Sequence, residues 1–122
     1  MDRSDNQGSP PVDLAYIHNM MGGDVPLMKE LFSTFLADVA AKLPLMDTAM
    51  ASFRSHDLFQ FAHSFSGTAT CLGAHGLHKR AQLLEEHARA RHLEESKQAF
   101  VDFREELIRT RDFFVAQMES YD

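Results

Sequence analysis

At 122 residues and a formal charge of −6, the chain is long enough for one hydrophobic core and too short for two ordinary domains. Eighteen acidic against twelve basic residues exclude a general nucleic-acid binder, which needs a basic footprint, although two or three cations around one site would leave that balance intact. No apolar run approaches the roughly 20 residues that cross a bilayer, and Cys71, the single cysteine, allows no internal disulfide and fits a reducing, cytoplasmic setting.

Residues 1–11 lack the apolar core of a signal peptide and read as a flexible polar leader, which leaves 12–120 for one domain. Along the rest, sustained period-2 alternation and Asn-Gly or Asp-Gly turns are absent, and helical periodicity dominates. A short helix is predicted from about Asp13 to Met21, with Leu14, Ile17 and Met21 on one stripe and Gly22-Gly23 at its end. Asp24 caps the next helix, whose first turn tolerates Pro26. From Leu27 the apolar positions Leu31, Phe32, Phe35, Leu36, Val39, Leu43, Met46, Met50 and Phe53 form an almost unbroken helical series. Pro44 predicts a kink within one long helix, the alternative being a break into two near Lys42.

Asp57 is the expected N-cap of a third long stretch that runs to about Leu72 and closes at Gly73. His75 or Gly76 opens another, reaching about Arg91 with Leu77, Ala81, Leu84 and Ala88 inward. The last, roughly Leu93 to Glu119, buries Phe100, Phe103, Leu107, Phe114 and Met118. Short connections between long amphipathic segments imply antiparallel neighbours. The predicted fold is all-α, an antiparallel up-down four-helix bundle with a short additional N-terminal helix.

At about 100° per residue, Phe61, Phe65, Thr68 and Leu72 share one side of their helix and His63 faces water on the other. Gly67 sits one turn on, where an ordinary side chain would cover the ring, and a glycine inside a helix costs roughly 1 kcal/mol relative to alanine. That placement indicates that something must reach the imidazole. Phe59, one turn before, either belongs to a docking patch with Met20, Met21 and Leu27 or is buried under the short first helix. His75 and His78 have a spacing that suits zinc, but no further ligand stands at motif spacing, so no metal is expected. Neither a Gly-rich phosphate loop nor a Lys-Ser/Thr pair after one is present, which argues against autonomous kinase activity.

Ala62-His63-Ser64-Phe65-Ser66-Gly67 followed by Leu72-Gly73-Ala74 resembles the signature of histidine-containing phosphotransfer (HPt) domains, approximately Ala-His-x-Leu-Lys-Gly with a later Gly-Ala. Gly22-Gly23-Asp24, the stretch from Glu30 to Asp38 and Leu83-Leu84-Glu85 extend the resemblance over roughly residues 12–117. The resemblance implies a bundle that relays phosphate, and a bundle with one helix face left for docking is expected to stay a monomer. His63 would take a phosphoryl group from an aspartyl phosphate on one receiver domain, fed by a hybrid histidine kinase, and pass it to an aspartate on another. The chain needs no cofactor of its own, since Mg2+ comes with the receiver.

Glu85 matches the family position that holds the second ring nitrogen, fixing the tautomer and leaving Nε2 as nucleophile, although Glu85-Glu86 also suits a solvated face. Arg89 matches a position where some members carry a basic residue near the phosphoryl group, and otherwise complements the helix dipole. Gln82 and His78 share its face. Ser66 stands where the family usually has lysine. Exposed ion pairs are worth about 0–1 kcal/mol, so the exchange is expected to tune transfer, with Lys79 or Arg89 compensating. Ser64, Gly67 and Thr70 shape the surrounding surface, and Gln60 joins Phe59 and Ser64 on the docking face. The alternative is a degenerate member that docks a receiver without accepting phosphate.

Overall fold

The computed structural model describes residues 9–121, and every regular element among them is helical. The helices are α1 (Leu14–Met20), α2 (Val25–Ala51), α3 (Ser55–Cys71), α4 (His75–Arg89) and α5 (Leu93–Ser120). Of the leader expected over 1–11, residues 1–8 lie outside the described residues, and the core begins at Val12, 4% exposed.

Two aspartates start the first two helices as their chemistry demands. The Asp13 carboxylate accepts the Tyr16 N–H and the Asp24 carboxylate the Leu27 N–H, each at 3.1 Å. α2 then runs unbroken through Pro44. Pro44 and Ala40 both lie on the exposed side, where water can replace the hydrogen bond that proline denies the Ala40 carbonyl. Phe53, which continues the apolar series, is not helical: α2 ends at Ala51, and Phe53 turns the chain at φ 45° while its ring still packs on the core.

Asp57 is not the N-cap of α3, which begins two residues before it. The Leu58 N–H donates to the Arg54 carbonyl at 3.0 Å, which makes Arg54 the cap and brings Leu58 into the core at 0% exposure. Asp57 lies in the first turn instead, where it favours the positive end of the helix dipole and accepts from Arg54 Nε at 2.9 Å. α4 stops at Arg89, short of Arg91, because the Arg91 and His92 N–H groups fold back onto the Ala88 and His87 carbonyls, each at 3.0 Å. In α5, Phe100, Phe103, Leu107 and Phe114 are buried, whereas Met118 is only half-buried at the edge of the core.

α2 packs against α3 and α5, and α4 packs against the same two. Paired side chains set the directions. Asp47 meets Arg104 while Phe32 meets Phe114, so α2 and α5 are antiparallel; His63 meets Glu85 while Thr70 meets His78, so α3 and α4 are antiparallel too. The Asp47 carboxylate accepts from both Arg104 Nε and Nη2 at 2.9 Å, and these hydrogen bonds push the Arg104 pKa above the ordinary arginine value. α1 closes one end of the bundle. Its Ile17 is fully buried, and the Asp13 N–H donates to the carbonyl of Gly73 at 3.1 Å. Gly73 has φ 63°, and a Cβ there would come within 2.9 Å of the Tyr16 ring. No described helix is long and apolar enough to cross a membrane.

The aromatic centre of the core is Phe114, whose ring lies 4.5 Å from that of Phe32 and 5.3 Å, edge-on, from that of Phe35. Its exposure is 0%. Phe114→Ala is therefore expected to destabilise the fold by about 3–5 kcal/mol, read as a lower urea midpoint with an unchanged slope. A loss under about 1 kcal/mol would mean that α5 does not anchor the core through this ring.

Candidate functional site

α3 buries Leu58, Ala62, Phe65 and Ala69, a row spaced four, three and four residues apart, and this turns His63 outward. The imidazole side chain is 71% exposed, whereas that of Glu85 on α4 is only 13% exposed. Glu85 Oε2 lies 3.0 Å from His63 Nδ1. A carboxylate accepts and does not donate, so Nδ1 carries a proton, and in the neutral tautomer the lone pair belongs to Nε2.

Glu85 also accepts from Arg89 Nη2 at 3.4 Å. The Arg89 guanidinium in turn stands 5.1 Å over the ring of Phe59, and Phe59 stacks on His63 with ring centres 6.0 Å apart. Three side chains from two helices, Glu85, Arg89 and Phe59, thus hold the imidazole. Phe59 is half-buried by His56, His63 and Arg89, and is not covered by α1. α1 is tied instead to Gly73, about 21 Å further along the α3 axis at about 1.5 Å per residue. Met20 is exposed and Met21 half-buried at the far end of α1; Gln60 is exposed on α3.

On the other side of His63 the helix is bare. Gly67 is exposed, and a Cβ built on it would meet nothing within 4 Å. Nothing inside the described chain requires that residue to be glycine. Ser66, by contrast, is 7% exposed, and its Oγ lies 3.2 Å from His78 Nδ1, in the seam between α3 and α4. His78 Nδ1 is also 3.1 Å from the Ser66 carbonyl and from Thr70 Oγ1. Since a carbonyl only accepts, this Nδ1 also carries its proton. A lysine at position 66 would have to leave the seam past His78 to reach solvent. Lys79 is exposed on α4.

Nothing in the local sequence gives Lys42 a role, yet the structure brings it from α2 against Ser64, the residue after His63. Its Nζ donates to Ser64 Oγ at 3.1 Å, pairs with Asp38 at 3.1 Å and lies over the Phe65 ring. The local signal, Asp38 and Lys42 at i,i+4, looks like any solvated helix pair. Among the described residues, no three His, Cys, Asp or Glu side chains come together to hold a metal ion.

The sequence model of the Hpt domain matches residues 30–113, a span that holds α3 and α4 entire and therefore His63, Gly67 and Glu85. In fold the chain is similar to the crystal structure of histidine-containing phosphotransfer protein B (HptB) from Pseudomonas aeruginosa PAO1. The two share 24% sequence identity at a TM-score of 0.83, covering 93% of this chain and 99% of that one. No curated protein is significantly similar to it in sequence. Because the domain match takes in well over half of the 122 residues, with the imidazole–carboxylate pair inside it, this chain belongs to the Hpt domain family.

Proposed function

We propose that His63 is the residue through which this Hpt protein carries a phosphoryl group between receiver-domain aspartates in a two-component phosphorelay. The observation that supports it most directly is the 3.0 Å bond from His63 Nδ1 to a nearly buried Glu85, which in the neutral ring fixes the tautomer that keeps the lone pair on Nε2, on a ring open to solvent. The Nε2 lone pair attacks phosphorus in line; the N–P bond forms as the P–O bond to the donor aspartate breaks, and that aspartate leaves as a carboxylate. No proton has to move. The positive charge left on the ring is compensated by Glu85, and the divalent ion belongs to the receiver.

Arg89 and Lys79 supply positive charge around the phosphoryl group, while Ser66 and Thr70 fix the seam behind it. Phe59, Gln60 and Ser64, with Met20 and Met21 further off, form the docking face. Residues 12–120 act as one domain, an antiparallel up-down four-helix bundle with α1 as the extra helix. We assign it as a monomeric, cytoplasmic relay without kinase activity of its own, fed by a hybrid histidine kinase and binding neither nucleic acid nor membrane.

The deciding experiment incubates the chain with a receiver domain phosphorylated by a small-molecule donor. Acid-labile, alkali-stable label is expected on the wild type and absent from His63→Gln. Label that persists in the variant moves the site elsewhere, and binding without label from any receiver turns the chain into a docking module. Glu85→Ala is expected to slow transfer by about ten-fold, or roughly 1.4 kcal/mol in the barrier, with receiver affinity nearly unchanged; equal rates remove Glu85 from the mechanism.

Gly67→Ala separates stability from access. With open space at the Cβ position, the helix gains about 0.5–1 kcal/mol in unfolding free energy. Transfer to and from the receiver falls, because the new methyl stands where the partner approaches Nε2. A variant that is more stable and equally fast would show that the glycine does not serve docking.

A further inference from the structure

Beyond His63, at the Ser55 end of the same face, lies a pocket of about 250 Å³ between the start of α3 and the end of α4. Ser55, His56, Phe59, Ala88, Arg89 and Arg91 line it. Its volume is below the usual range for a drug-sized ligand and suits a side chain. Phe59 is shared with the phosphotransfer site: one neighbour of its ring is His63 at 6.0 Å and another is His56 at 6.4 Å. Any protein that covers His63 Nε2 therefore comes to lie near this pocket.

The charges around it do not cancel. Asp57 is taken by Arg54, whose Nε and Nη2 both lie 2.9 Å from its Oδ2. Glu85 is divided between His63 and Arg89. Arg91 is exposed and makes no ion pair among the described residues. Its backbone is held at φ 61°, the left-handed position that ends α4 and that glycine usually fills. A chain with a net charge of −6 thus places a guanidinium without an ion pair among the described residues, a second one spread over an aromatic ring and an imidazole around one small cavity beside its reactive histidine.

We propose that this pocket receives an acidic side chain of the docked receiver, one outside the receiver's phosphorylation site, and that Arg91 is the residue that selects for it. The proposal rests on the assignment of the His63 face as the receiver-docking face. The recognised chemistry is a carboxylate held by guanidinium groups at the rim of a protein interface, a contact that governs partner choice and encounter rate more than the reaction itself.

The test measures binding without phosphate. Unphosphorylated full-length chain is titrated calorimetrically with a panel of isolated receiver domains, at low and high salt, as wild type, Arg91→Glu, Arg91→Lys and Arg91→Gly. For receivers that bind the wild type, Arg91→Glu is expected to raise Kd by about ten-fold at low salt and by less at high salt, while Arg91→Lys stays close to wild type. Arg91→Gly suits the backbone and removes only the side chain, so it should unfold no more easily than the wild type yet still bind about three-fold more weakly. Wild-type affinity of Arg91→Glu for every bound receiver overturns the proposal. A receiver whose binding depends on Arg91 but which never labels His63 supports the pocket and defeats the phosphotransfer assignment. A panel in which no receiver binds overturns both.

Discussion

The seam between α3 and α4 is the constraint on which the rest depends. For a nearly buried carboxylate on one helix to orient an exposed imidazole on the next, the two backbones must approach closely and in a fixed register. Small residues allow the approach. α3 buries Leu58, Ala62, Phe65 and Ala69, and α4 buries Leu77, Ala81, Leu84 and Ala88, with the same spacing of four, three and four. Alternation of alanine with larger side chains lets the helices interlock without voids. Antiparallel register then brings Glu85 opposite His63, and it is repeated two turns away, where His78 meets Ser66 and Thr70.

That second set of contacts accounts for the departure at position 66. A lysine in the usual place would project from α3 itself. Here Ser66 turns into the seam, and the cations bonded to residues around it come from neighbouring helices: Lys42 of α2, bonded to Ser64, and Arg89 of α4, bonded to Glu85. Neither cation is free, since Lys42 also pairs with Asp38 and Arg89 lies over Phe59. Positive charge bonded to Ser64 and Glu85 is thus distributed over two helices and tethered, not concentrated on one mobile ammonium group.

Much of this was legible in the sequence, and the parts that were not have identifiable causes. The inward row of α4 follows from periodicity, and so does the outward position of His63; the inward row of α3 is rotated from the expected Phe61, Phe65, Thr68 and Leu72, because Ala62 and Ala69 pack in the seam and leave Phe61 and Thr68 half-buried. The role of Glu85 came from family resemblance; periodicity alone could not separate it from Glu86. Asp57 misled because a good capping residue stood where a cap was needed, whereas the start of the helix was set by the burial of Leu58 and the carbonyl of Arg54. Ser66 lies about 60° from His63 on the helical wheel, at the edge between the wet and dry sides, and only its neighbour His78 decides which way it turns. Lys42 was invisible because its partner Ser64 is 22 residues away and belongs to another helix.

On the proposal that the His63 face docks the receiver, its two ends serve docking in opposite ways. Towards Gly67 the chain withholds a side chain, and a helix that exposes its backbone offers room and no attraction. Towards Ser55 it adds Phe59, Arg89 and Arg91 around a cavity. An imidazole that reacts with any suitably placed acyl phosphate carries no information about its partner, because in-line transfer asks only for position and charge neutralisation. Selection must therefore come from surface that the reaction does not use, and on this face the proposed acidic-side-chain pocket is where it would arise. The negative charge on the rest of the chain works in the same direction: a basic pocket on an acidic protein orients an approaching acidic partner towards one end, where a uniformly basic surface would bind it anywhere.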